Sequence, residues 1–294
     1  AIAEVTEAVM MSHAGLTAPD KPMASLLFVG PTGVGKTEVA KVLAEQLGIE
    51  LVHFDMSEYA EKHTVSRLIG TPAGYVGYED GGQLTDAIRR SPHCVLLLDE
   101  IEKAHPDIFN ILLQVMDRAT LTDTHGRKAD FRHVLLILTS NAGAQFARQA
   151  GVGFTGNVTP GDAMLAEVKK LFKPEFLNRL SGTVVFGEMT LDMARRILDK
   201  QLGVLQSLLT PRGVQLQLTD AAREWLLQRG FTREYGAREL DRAITAHLKP
   251  LLTRGLLFGA LAHGGIATVD AGEEGLALRD NPTPQNADCT ADEV

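Results

Sequence analysis

Short runs of apolar residues recur along this chain, and between them apolar positions return every third or fourth residue. Leu26-Leu27-Phe28-Val29, Val95-Leu96-Leu97-Leu98 and residues 134–138 contain no polar alternation, which predicts strands buried on both faces. From Lys36, the positions Val39, Val42, Leu43 and Leu47 mark one helical face that Gly48 closes. Residues 108–116 read as a second helix, residues 88–90 as the end of another, and a further helix starts near Ala163. Residues 50–54 and 183–186 read as shorter strands. At the start, Ile2, Val5, Val9 and Met10 lie at helical spacing, with Gly15 where a helix end is expected. Strands apolar on both faces that alternate with helices predict an α/β domain with a parallel sheet covered on both sides.

The pattern changes near residue 187. Leu191–Leu209 is a long helical stretch, Val214–Leu218 a short strand, and Thr219 a cap for a helix ending at Gly230. Residues 237–257 read as helical, with weak strands near 266–270 and 275–279. The expected organisation is therefore a large domain over 1–186 and a smaller, mainly helical one over 187–280. The last stretch, 281–294, is polar with two prolines and is expected to be disordered.

Composition narrows the function classes. The 294 residues carry a formal net charge of −8, a poor match for a chain whose main partner is a phosphate backbone. No apolar stretch is long enough to span a membrane, and the first residues lack the basic and apolar regions of a signal peptide. Only Cys94 and Cys289 are present, which argues against a disulfide framework and makes a cytoplasmic setting the default. The missing initiator Met and the abrupt helical start read as a piece of something longer.

The chemistry is concentrated at the ends of the predicted strands. Gly30-Pro31-Thr32-Gly33-Val34-Gly35-Lys36-Thr37 fits G-x-x-x-x-G-K-[ST] between an apolar strand and an amphipathic helix. In that context the loop amides point at phosphates, Lys36 reaches the β/γ-phosphates and the Thr37 hydroxyl ligates Mg²⁺. Asp99 and Glu100 end an apolar strand; the first suits Mg²⁺, usually through water, and the second a general base for the attacking water. Thr139-Ser140-Asn141 ends the next apolar run, and Asn141 beside the P-loop strand can bond the γ-phosphate or that water. Taken alone, each acidic or amide strand end also reads as an ordinary solvated turn. His125 and His133 lack a third ligand for a metal, Asp55 with Glu58 reads as a capping pair, and no G-x-S-x-G nucleophile is present.

In this order the residues resemble an AAA+ ATPase. Phe54-Asp55-Met56-Ser57-Glu58-Tyr59, Gly74-Tyr75-Val76-Gly77, the run from Leu98 to His105, Gly126-Arg127-Lys128-Ala129-Asp130-Phe131 and Pro174-Glu175-Phe176-Leu177-Asn178-Arg179 are similar to the second ATPase module of the Clp ring unfoldases. The resemblance extends to about residue 270 and is nearest to the ClpA type. It implies an AAA+ P-loop parallel sheet flanked by helices, with a smaller C-terminal lid domain, bound to ATP and Mg²⁺ within a homohexameric ring.

The same resemblance implies individual roles. Arg179 matches the arginine finger that completes a neighbour's site, and Arg238 the second sensor from the smaller domain. Tyr75 and Val76 match the pore loop that grips substrate, and residues 125–131 a secondary pore loop. Val152-Gly153-Phe154 resembles the tripeptide that docks on a ClpP-type peptidase. By base rate, Arg179 and Arg238 also read as surface arginines, Tyr75 as a packed turn and 152–154 as an ordinary loop.

Two departures stand out. Ser181 replaces the usual Asp after the finger motif, so a supporting ion pair is expected to be missing. The apolar residues that contact adenine precede Ala1 in relatives. The implied function is ATP-driven unfolding of protein substrates and their translocation into a ClpP-type peptidase, with an adaptor as a further partner and no nucleic-acid or membrane partner. A disaggregase without a peptidase and a nucleotide-switched scaffold are the alternatives.

Overall fold

A computed structural model describes residues 1–16, 18–70, 81–143, 159–231, 237–272 and 275–279. The chain forms two compact units, one spanning Ala1–Glu188 and one beginning at Met189.

In the first unit, helix α1 (Ile2–His13) precedes strand β1 (Ala24–Val29), helix α2 (Lys36–Leu47) and strand β2 (Glu50–Asp55). Helices α3 (Lys62–Ile69) and α4 (Gln83–Arg90) lead to β3 (Cys94–Asp99) and α5 (Pro106–Arg118). A small hairpin of β4 (Thr120–Thr122) and β5 (Lys128–Asp130) comes before β6 (Val134–Ser140). Helix α6 (Pro160–Leu171) and the short helix Pro174–Leu177 then lead to β7 (Gly182–Val185).

The main sheet has the order β2-β3-β6-β1-β7 with every neighbouring pair parallel. Alternate residues of each strand face opposite cores, as a period of two demands. Leu26, Phe28, Val95, Leu97, Leu135 and Ile137 join Val5 and Val9 of α1 and Ala40 and Ala44 of α2. Leu27, Val29, Leu96, Leu98, Leu136 and Leu138 join Leu84 and Ile88 of α4 and Ile108, Leu112 and Val115 of α5. This double coverage explains why the strands read as unbroken apolar runs. The parallel pairing brings all carboxyl ends of the strands to one edge.

The second unit contains the long helix Leu191–Leu209, whose buried positions Ala194, Leu198, Leu202, Leu205 and Leu209 recur every three or four residues. Thr190 caps it by accepting from Met193 N (3.3 Å), and Thr219 caps Asp220–Gly230 by accepting from Ala222 N (3.2 Å). Strand β8 (Val214–Leu218) runs parallel to β9 (Gly265–Gly272), which pairs antiparallel with β10 (Gly275–Leu278). The stretch expected as one helix is Ala237–Ala243, a π-helical turn Ile244–Leu248 and Lys249–Phe258. Pro250 has no N–H to offer an uninterrupted ladder, and the wider turn lies immediately before it. No helix among the described residues is long and apolar enough to cross a membrane.

Candidate active site

The loop between β1 and α2 is shaped by its glycines. A Cβ on Gly30 would lie 2.6 Å from the carbonyl oxygen of Phe186, because Phe186 N donates to Val29 O (2.7 Å) and holds the post-β7 chain against β1. Gly33 and Gly35 have φ of 80° and 98°, a region that favours glycine. Gly35 is the N-cap of α2, so the loop delivers the chain to a helix N-terminus, where free N–H groups attract anions. Lys36 opens that helix with a buried side chain. Its ammonium donates to the carbonyls of Gly30 (2.7 Å) and Pro31 (2.8 Å) and to Asn141 Oδ1 (2.8 Å).

The ends of β3 and β6 meet this lysine. Thr37 Oγ1 donates to Asp99 Oδ2 (3.1 Å), while Thr139 Oγ1 donates to Asp99 Oδ1 and accepts from Glu100 N (3.0 Å). Asn141 Nδ2 donates to Glu100 Oε1 (3.0 Å), and Asn141 N to Glu102 Oε1 (3.0 Å). The structure therefore brings Lys36, Thr37, Asp99, Glu100 and Asn141 into one hydrogen-bonded cluster. Thr139, Glu102 and Lys103 belong to it too, although sequence reasoning gave them no role. Their signal was weak: a hydroxyl before the strand-end amide, and polar residues after an acidic pair.

Glu100 carries unusual backbone geometry, with φ 56° and ψ 50°. A left-handed conformation at a non-glycine residue costs about 1–3 kcal/mol and persists only where surrounding bonds dictate it. The bond from Glu100 N to Thr139 and the 3₁₀ turn Ile101–Lys103, with Ile101 fully buried, supply that constraint. Lys103 pairs with Glu100 Oε2, and the hydrogen bond and charge of Glu100 raise the lysine above its usual pKa. Asp55, at the end of β2, is held below the ordinary carboxylate range, first by the Ser57 hydroxyl bond and then by the Ser57 amide and the charges of Lys103 and His53. His53 Nε2 lies 3.6 Å from Asp99 Oδ2.

Other expected residues lie elsewhere. Arg179 Nε pairs with Asp117 Oδ1 of α5 (2.6 Å) at a half-exposed position, and so is outside the Lys36–Asn141 cluster. Ser181, which lacks the expected acid, accepts from Ser25 N (3.0 Å) and donates its own N–H to Ser25 O (2.7 Å). It therefore anchors the finger segment to β1 by hydrogen bonds rather than by an ion pair. Arg238 is exposed on the helix Ala237–Ala243 of the second unit. Within 125–131 the hairpin turn is organised by Asp123, which accepts from His125 N (2.9 Å), Arg127 N (2.8 Å) and Arg127 Nε (2.8 Å). Burial alone would raise Asp123, but these bonds override it and hold the carboxyl below its usual pKa. His133 stacks on His93 with ring centroids 4.6 Å apart. Tyr75, Val76, Val152, Gly153 and Phe154 lie outside the described residues.

A phosphate-binding loop, a lysine and strand-end acids on a sheet of order β2-β3-β6-β1-β7 are matched by comparison with known families. Residues 21–183 match the model of the AAA domain (Cdc48 subfamily), and residues 189–269 match the C-terminal, D2-small domain of ClpB protein. The chain belongs to the Clp branch of the AAA ATPases. Its similarity to curated Clp proteins runs nearly end to end. The ClpA homolog protein of Fuscovulum blasticum is 49% identical over 278 residues, covering 95% of this chain and 35% of that protein. Chaperone protein ClpB 1 of Parasynechococcus marenigrum is 47% identical over 281 residues, covering 95% and 33% respectively. Chaperone protein ClpB of Propionibacterium freudenreichii is 48% identical over 281 residues, covering 94% and 32%. The chain thus spans about a third of the length of the curated relatives it matches. As an AAA ATPase, it is a nucleotide-binding enzyme.

Proposed function

We propose that this chain is the motor module of a hexameric Clp-type ring that hydrolyses ATP to unfold proteins and thread them into a ClpP-type peptidase. The observation that carries the chemistry is the convergence of Lys36, Thr37, Asp99, Glu100 and Asn141 at the carboxyl ends of adjacent parallel strands. In this reading, the amides of residues 30–35 and the α2 N-terminus cradle the phosphates, and Lys36 holds the β/γ-phosphates.

The Thr37 hydroxyl and Asp99 carboxylate, 3.1 Å apart and partly open to solvent, form a hard-oxygen donor set that suits Mg²⁺. When bound, Mg²⁺ neutralises charge on the β- and γ-phosphates. Glu100 takes a proton from the attacking water, and Asn141 orients that water and the γ-phosphate. Arg179 reaches the γ-phosphate of a neighbouring copy and stabilises developing charge, which makes hydrolysis depend on assembly. Arg238 couples the second unit to the nucleotide. Tyr75 and Val76 grip the substrate, and Val152-Gly153-Phe154 docks on the peptidase.

The resemblance of 152–154 to a docking tripeptide and the similarity to the ClpA homolog protein support the peptidase-coupled form. A second reading, a chaperone motor without a peptidase, is supported by the relatives named Chaperone protein ClpB and by the small-domain match. Deleting residues 151–156 from the full-length protein separates the two. Loss of peptidase-coupled degradation with ATPase retained supports docking; unchanged activity with no response to a ClpP-type peptidase supports the chaperone. ATPase activity per mole should rise with protein concentration and vanish in Arg179→Ala. A rate independent of both would contradict a site completed by a neighbour.

A further inference from the structure

Glu102 lies two residues beyond the acidic pair, where the P-loop pattern assigns no chemistry. The left-handed backbone of Glu100 folds the chain into the turn Ile101–Lys103, and this carries Glu102 back toward the end of β6. Its Oε1 accepts the main-chain N–H of Asn141 at 3.0 Å. Its Oε2 is buried and, among the described residues, has no hydrogen-bond partner. A buried carboxylate oxygen left unpaired is costly, so this side chain is not held there as a solvated surface charge.

The bond to Asn141 N fixes the residue on which the cluster converges. The Asn141 side chain is engaged at both ends, with Oδ1 accepting from Lys36 Nζ (2.8 Å) and Nδ2 donating to Glu100 Oε1 (3.0 Å). An amide can serve both only if its backbone sits at a defined distance from the P-loop and from the β3 end. Asn141 is the first residue after β6, where the sheet ladder no longer positions it. We propose that Glu102 is a positioning residue for hydrolysis, pegging the Asn141 main chain so that one amide bridges the P-loop lysine and Glu100. This rests on the reading that Glu100 and Asn141 act in ATP hydrolysis.

The test uses the full-length protein, with steady-state ATPase kinetics and affinity for a fluorescent ATP analogue. Glu102→Ala lowers kcat on the order of tenfold, the scale on which small misplacements of a reacting group act. KM and analogue affinity stay within about twofold, because a transition-state interaction is lost rather than uniform binding. Glu102→Gln, whose carbonyl still accepts the Asn141 N–H, recovers most of the rate. In an Asn141→Ala background, Glu102→Ala causes no further loss, since Glu102 acts through the Asn141 side chain. Should Glu102→Ala not fold, Glu102→Asp, which draws the acceptor back by one methylene, reads the same loss.

Three results overturn the proposal: a wild-type rate in the variant that removes or retracts the acceptor, a Gln variant as slow as Ala, or an equal loss with and without the Asn141 side chain. Glu100→Gln serves as the control arm. If it is inactive while Glu102→Ala is unaffected, the positioning role alone falls. If Glu100→Gln turns over normally, the assignment of the base falls, and the role of Glu102 with it.

Discussion

The two units of this chain use the same materials, helices packed on a short sheet, but they place their polar side chains differently. In the first unit every strand of the main sheet runs the same way, so the loop after β1 and the polar residues that end β3 and β6 collect at one edge and interlock. In the second, β8 and β9 are parallel but β9 and β10 are antiparallel, so the sheet has strand ends and a strand start at the same edge. The corresponding polar group there is Asp270 with Thr219 and Arg279: Thr219 bonds Asp270 Oδ1, and Arg279 Nε donates to Asp270 Oδ2 (2.9 Å). Those bonds hold Asp270 below the usual carboxylate range, Thr219 first and Arg279 second, and they fasten three strands through one carboxylate. A wholly parallel sheet, with a glycine-rich loop at its carboxyl edge, makes the first unit's strand ends a place for chemistry.

Both units are held by apolar packing, and the largest stability effect in the second should come from its core. Leu198 is 1% exposed and sits in the middle of the long helix. Leu198→Ala should cost about 2–5 kcal/mol, read as a lower urea midpoint for the second unit. A change under 1 kcal/mol on the order expected for surface sites would break the comparison. In the first unit, Gly30→Ala forces a Cβ to within 2.6 Å of the Phe186 carbonyl and should cost about 1–3 kcal/mol, seen as a lower melting temperature. Wild-type stability would mean that the β1–β7 contact yields easily.

The smallest effect concerns acid. Asp123 is depressed in the folded state, so its contribution is complete above the ordinary Asp value of about 4 and is lost as pH falls through its lower folded value. Asp123→Asn should remove that part of the acid dependence of the urea midpoint. An identical pH profile in the variant would show that the hairpin turn does not depend on this carboxylate.

The sequence made much of this architecture legible, and where it did so the reason is local. The helix Leu191–Leu209 and the strand Val214–Leu218 follow from unbroken periodicity, and the P-loop from glycines whose φ values are positive. Helix α3 escaped notice because in its eight residues only Val65, Leu68 and Ile69 are apolar. The β4–β5 hairpin escaped because three-residue strands carry no usable alternation. Ser181 read as a lost ion pair, but it is a hydroxyl accepting from Ser25 N, 156 positions away. Glu102 is near Glu100 in sequence, yet its partner Asn141 is 39 positions on and comes within reach only because β3 and β6 are neighbours. Such long-range hydrogen bonds depend on topology, which no local pattern encodes.

The measurement that tests the account most directly is ATP turnover and ATP binding by Glu100→Gln in the full-length protein. Loss of the general base should lower kcat by about 10²–10⁴-fold, while the P-loop, Lys36, Thr37 and Asp99 still bind the nucleotide with nearly unchanged affinity. Turnover within a few-fold of wild type would contradict the assignment of Glu100 as the base.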